Sequence, residues 1–164
     1  MKFRNGFSLV EVLVAVLILA VGLTGLAGLQ IAGIRNNQTA YHRSVATQLA
    51  YDMADRIRSN QVGMVGGLYN KGKEGISGSS CESGSCTPEQ LAAYDLKRWN
   101  DELAAKLPGG VGVVCKDSTP EIGKSSEPTA ACDDLGNVYV VKVWWDDDRS
   151  GTKTQGFVTS FRPQ

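Results

Sequence analysis

A chain of 164 residues, 42% hydrophobic and with 17 basic side chains against 17 acidic ones, holds material for one modest domain. Zero formal net charge, a pI near 6.6 and the lack of any Lys/Arg-rich run leave no electrostatic footprint for a nucleic-acid backbone, which argues against DNA or RNA as a partner. The mean hydropathy of -0.15 conceals an asymmetry, because nearly all of the continuous apolar sequence lies in the first 34 residues.

From Val12 to Ile34 there are 23 residues without a charge. At 1.5 Å per residue a helix of that length reaches roughly 35 Å, enough to cross a bilayer core. Lys2 and Arg4 precede the span and only Arg35 immediately follows it, so the positive-inside rule places the N-terminus in the cytoplasm and exports the remainder. A cleaved secretory signal is the competing reading, with Ala20 and Gly22 as small residues that mimic a cleavage site. Its apolar region ordinarily has about 7–15 residues, whereas this one is longer, has no polar break and carries Glu11 near its start. A carboxylate inside a spanning helix costs at least about 2.5 kcal/mol, which marks Glu11 as a functional candidate.

Lys2-Phe3-Arg4-Asn5-Gly6, then Phe7-Ser8-Leu9-Val10-Glu11 and an unbroken apolar stretch, resembles the class III signal of type IV pilins and pseudopilins. The resemblance implies that a prepilin peptidase cuts after Gly6 and methylates the new N-terminal residue Phe7. It also matches Glu11 to the family's glutamate five residues into the mature chain. The implied organisation is a leader over 1–6, a transmembrane and assembly helix over 7–34, an amphipathic continuation over 35–60 and an exported head over 61–164. The implied fold class is α+β: a long N-terminal helix on a small antiparallel sheet, with a second helix. The implied partners are the inner membrane, the peptidase, the major pilin, other minor pilins and a tip adhesin. The helix would be single-pass, the head periplasmic, and the assembled protein at the pilus tip or in the fibre. Helical geometry adds a reason for Glu11: cleavage removes Lys2 and Arg4 and creates an amine at Phe7, one turn and about 6 Å from the carboxylate. Two helices offset along a filament could then pair one subunit's amine with another's Glu11, setting register.

Beyond the span, Tyr41, Val45, Leu49, Met53 and Ile57 recur every four residues with Ala46, Ala50 and Ala54 beside them. With Asn36, Asn37, Arg43, Ser44, Asp52, Asp55 and Arg58 on the wet face, they predict one helix from about Phe7 to Asn60, packed on the head in its second half. Gly22, Gly25, Gly28 and Gly33 weaken the first half by roughly 1 kcal/mol each relative to Ala. Residues 61–86, with seven Gly and five Ser in 26 positions, read as a crosslinked loop without regular structure. Thr87-Pro88-Glu89-Gln90 supplies an N-cap, a proline at the first helical position and Gln at N3, so a helix should run to about Leu107 and stop at Pro108-Gly109-Gly110. Its expected buried stripe is Leu91, Trp99, Leu103 and Leu107. Strands are predicted at Val111 to Cys115, Val138 to Trp145 and Gly156 to Phe161, the last two a hairpin turning at Asp146 to Gly151. Alternation along the middle strand predicts one face on the long helix and sends Trp144 and Trp145 to opposite sides, one to the core and one to a partner subunit.

Four cysteines in an exported head read as two disulfides, and the local pairing Cys81 with Cys86 and Cys115 with Cys132 is expected among the three possible. Neither spacing forms a CxxC zinc knuckle. His42, the sole histidine, reads as a surface or packing residue more than a base. The Gly110-Val111-Gly112 run lacks the third glycine of a dinucleotide loop, and Asp146, Asp147 and Asp148 match no EF-hand spacing and read as a solvated turn. No enzyme activity, cofactor, metal or small-molecule substrate is expected. Two rivals stand beside a pilus subunit: a type II secretion pseudopilin, which shares every residue of the N-terminal argument, and a membrane-tethered enzyme, which would need a catalytic constellation.

Overall fold

The computed structural model describes residues 8–70, 81–82, 84–121, 132–152 and 155–163. Helix α1 runs over Leu9–Ser59, a short helix α2 over Gln61–Val65 and helix α3 over Pro88–Lys106; strands β1, β2 and β3 cover Val111–Lys116, Tyr139–Trp145 and Gln155–Phe161. The chain divides into two units, Met1–Ala40 and Tyr41–Gln164. In the first, the Ser8 carbonyl opens α1 by accepting from the Glu11 and Val12 amides, and every described residue is exposed.

In the second unit the three strands form an antiparallel sheet in the order β1-β2-β3. Gly112, Val143 and Phe157 share a register row, as do Val114, Val141 and Thr159, and as do Lys116, Tyr139 and Phe161. These rows lie on the helix-packed face, since Val114, Tyr139, Val141, Val143, Trp145 and Phe161 belong to one core with Leu49, Met53 and Ile57 of α1 and Trp99 and Leu103 of α3. Close approach of α3 requires a glycine at Gly112, where a Cβ would lie 2.2 Å from Trp99 Cη2 and 2.6 Å from Leu103 Cδ1. The Trp99 indole N–H donates to the Leu49 carbonyl at 2.9 Å, fixing α3 against α1.

The capping box that starts α3 is complete, with Thr87 Oγ1 accepting from Gln90 N and Gln90 Oε1 accepting from Thr87 N. Gly109, at φ 56°, carries the chain out of the helix into β1.

Several expectations are corrected. Tyr41 is 64% exposed and stands off the core stripe, whose first position belongs to the buried His42. The segment after α1 is not all loop: Asn60 caps α2, its Oδ1 accepting from Gly63 N at 3.1 Å. Leu91 is only half-buried, and Asp95 is buried on the α3 stripe. Strand β2 is buried on both faces instead of one, so Trp144 and Trp145 are both enclosed and neither is left for a partner.

Candidate functional site

The N-terminal constellation is built by the sequence that precedes and opens α1. Gly6 and Phe7 lie outside the described residues. Glu11 stands in the first turn of α1, where the unpaired amides of a helix start favour an anion, and is followed by a helical segment long and apolar enough to cross a membrane. Leu9, Val10, Val12, Leu13, Val16, Leu17 and their successors are all exposed, an apolar surface that one isolated chain in water would not sustain.

The head contributes anchoring chemistry. His42 Nδ1 and Asp147 Oδ1 are 2.7 Å apart, tying α1 to the β2–β3 turn. Asp146 accepts from Ser150 N at 3.1 Å and Gly151 N at 2.7 Å, and Asp148 accepts from Ser150 N at 3.1 Å. The Asp148 carboxyl is held below its ordinary range chiefly by the Ser150 hydroxyl. All three turn carboxylates therefore face protein donors.

Cys81 is bonded to Cys86 and Cys115 to Cys132, with Cα–Cα distances of 5.8 and 6.2 Å. Asp117 lies beside the second bridge and receives Lys142 Nζ at 2.6 Å, both side chains almost fully buried. The cluster Cys115, Asp117 and Cys132 has spent its sulfurs on the crosslink and a carboxylate oxygen on the lysine, so it is a brace and not a ligand set. Asp133 accepts from the Ser118 hydroxyl and from the amides of Ser118 and Leu135, which hold its carboxyl below the usual range.

Between α1 and α3, Tyr69 donates to Asp95 Oδ2 at 2.8 Å, Asn60 Nδ2 donates to Tyr69 Oη at 3.1 Å, and Arg56 Nη1 stands 3.8 Å from Asp95 Oδ1. Burial raises both the Tyr69 hydroxyl and the Asp95 carboxyl above their ordinary values. Sequence reading missed Asp95, Asp117 and Lys142, whose pairings join distant segments. For Asp95 and Lys142 the sequence signal is a charge within an otherwise apolar stripe or strand, whereas Asp117 sits in the polar run after Cys115 and carries no such signal.

A family model described as type IV pilin Tt1218 matches residues 28–97, and one for the prokaryotic N-terminal methylation motif matches residues 1–27. The two matches adjoin without overlap, and the long apolar helix, three-stranded antiparallel sheet and further helices described above are consistent with a type IV pilin fold. The matched family is one of structural pilins and not of enzymes. Neither the curated proteins nor the solved structures gave a match.

Proposed function

We propose that the protein is a minor pilin of the type IV pilus that, with other minor pilins and a tip adhesin, primes pilus assembly and supports twitching motility and adhesion. The observation that carries this reading is the junction Gly6-Phe7 followed by Glu11 at the head of an exposed apolar helix. Cleavage there by a prepilin peptidase and methylation of Phe7 would leave an amine one turn from Glu11, and lateral packing of such helices would cover the apolar surface of α1. Before assembly α1 would hold the chain in the inner membrane, with the N-terminus cytoplasmic and the head periplasmic, where disulfides persist.

The finer assignment rests on similarity. Gly6 to Ala15, Gly22 to Gln30 and the hairpin segment Val143-Trp144-Trp145-Asp146-Asp147 are similar to the minor pilin PilV, the type IV pilus modification protein. Intact-mass measurement of the protein from its native membrane tests processing: a chain starting at methylated Phe7 is expected, and retention of residues 1–6 or a cut near Gly22 overturns the reading. Sheared pili should contain the mature chain. A type II secretion role shares the processing, and detection in a secretion pseudopilus with absence from pili would select it.

A further inference from the structure

The two edges of the head sheet are treated differently. Asp117 N donates to Val138 O at 3.1 Å, which puts the β1–β2 ladder bonds on Val111, Val113 and Cys115 and turns the backbone groups of Gly112, Val114 and Lys116 outwards. Two of the outward amides meet side chains: Gly112 N donates to Asn100 Oδ1 at 3.2 Å and Lys116 N to Asn70 Oδ1 at 2.8 Å. Asp134 N also donates to Lys116 O at 3.2 Å, and Val114 between these two positions is buried, so that edge is covered. By the same alternation Tyr139, Val141, Val143 and Trp145 bond across to Phe161, Thr159, Phe157 and Gln155. The N–H and C=O groups of Gly156, Val158 and Ser160 must then point away from the sheet, and among the described residues nothing hydrogen-bonds to them. Gly156 and Ser160 are exposed and Val158 is half-buried.

An open edge is ordinarily guarded by a charge, a proline or a bulge. Strand β3, Gln155-Gly156-Phe157-Val158-Thr159-Ser160-Phe161, has neither a charged residue nor a proline, and its pairing with β2 runs without a bulge. We propose that β3 is a docking edge that accepts an extended, uncharged strand from another pilus subunit, adding a fourth strand to the sheet. That the strand comes from a pilus subunit rests on the function proposed above.

The chemistry of the edge selects this partner. Donors and acceptors repeated at every second residue match another extended backbone, and seven residues at about 3.3 Å each give it roughly 20 Å of track. On the helix-packed face the incoming side chains would lie beside Phe157 and the Tyr51 ring, which meet edge-on at 6.2 Å, favouring apolar residues over charged ones. On the other face, Gly156 and Ser160 leave room for small or β-branched side chains. Head-to-tail addition of a second copy would need its β1 edge, which Asn100 and Asn70 occupy.

The test places a benzophenone amino acid at Ser160 of the full-length chain in piliated cells and maps the photo-adduct by mass spectrometry. An adduct to an uncharged segment of a different pilin-like subunit is expected. Its yield should fall at least tenfold in Val158→Pro, which removes an outward N–H and no ladder bond, and in Val158→Lys, which keeps the N–H and puts a charge on the edge. Protein level and both disulfides are monitored in each variant, and if one variant lowers them the other decides. No adduct, an adduct to a second copy, or a yield unchanged in a well-folded variant overturns the proposal. Sheared pili from the same cells separate the two readings: the chain present in pili without the adduct removes only the docking edge, whereas the adduct on a chain absent from pili removes only the pilus assignment.

Discussion

Asp95 occupies a position on α3 where an apolar residue would be expected, and its carboxyl is kept by Tyr69 at 2.8 Å with Arg56 at 3.8 Å. Burial is the largest influence on it and raises its pKa, so the folded state binds the Asp95 proton more tightly than the unfolded chain, where an aspartate titrates near about 3.9. The stabilisation linked to that proton is complete below the unfolded value and is lost as pH rises through the higher folded value. Asp95→Asn, which can still accept from Tyr69, is expected to remove this stretch of pH dependence and to equal or exceed the parent in stability at neutral pH; urea unfolding of the mature protein in detergent across pH 3 to 7 checks it. Tyr69→Phe takes the donor from the same buried carboxylate and should cost about 1–3 kcal/mol in the same assay. Gly112 is a second single-atom constraint: a methyl group there would collide with the fully buried Trp99, so Gly112→Ala should destabilise the head by about 1–3 kcal/mol, read as a lowered unfolding midpoint.

Elements were legible where the information is local. The cap of α3 is written within Thr87 to Gln90, and its stop within Pro108 to Gly110, so that helix could be read before any packing was known. The stripe of α1 was legible in its middle and misleading at its start, because residues taken every four drift about 40° per step on a helix of 3.6 residues per turn. Three such steps back from Met53 carry Tyr41 about 120° round the helix, while His42, seven residues before Leu49, drifts only about 20° and stays on the core side. The second buried face of β2 was not legible, since enclosure of Trp144 and Lys142 depends on what covers the sheet away from the helices, a tertiary fact that strand alternation cannot express. The polar braces share this character: Tyr69 meets Asp95 across 26 positions and Lys142 meets Asp117 across 25. The bridges differ in reach, with sequence separations of 5 for Cys81–Cys86 and 17 for Cys115–Cys132. In the chain-entropy account the shorter loop is worth about 2 kcal/mol and the longer about 3 kcal/mol. Paired serine substitutions at Cys115 and Cys132 are therefore expected to lower stability more than those at Cys81 and Cys86, and the reverse order in denaturant unfolding would show that the loop-closure argument fails here.

In the function proposed above, assembly and head stability draw on different units of the chain. Among the described residues of α1 the buried positions begin with His42 and Ala46, in the second unit, whereas Glu11 belongs to the first unit and is exposed. Within a bilayer an unpaired Glu11 carboxylate costs at least about 2.5 kcal/mol, and replacing it with alanine removes that cost. Glu11→Ala should thus remain in the membrane at the parent level or above it, with both disulfides formed and the head unfolding at the parent midpoint. In a filament the balance reverses, because the amine of Phe7 on a neighbouring helix would lose its countercharge and stand unpaired among apolar side chains. The variant is therefore expected to be depleted from sheared pili relative to membrane, with twitching reduced alongside. Glu11→Gln distinguishes charge from hydrogen bonding: its amide oxygen can accept from the Phe7 amine but cannot neutralise it, so its entry into pili should fall between alanine and glutamate. Entry of Glu11→Ala at the parent level would refute the staggered amine and carboxylate pair, and assembly of this subunit would then have to depend on contacts made by the head.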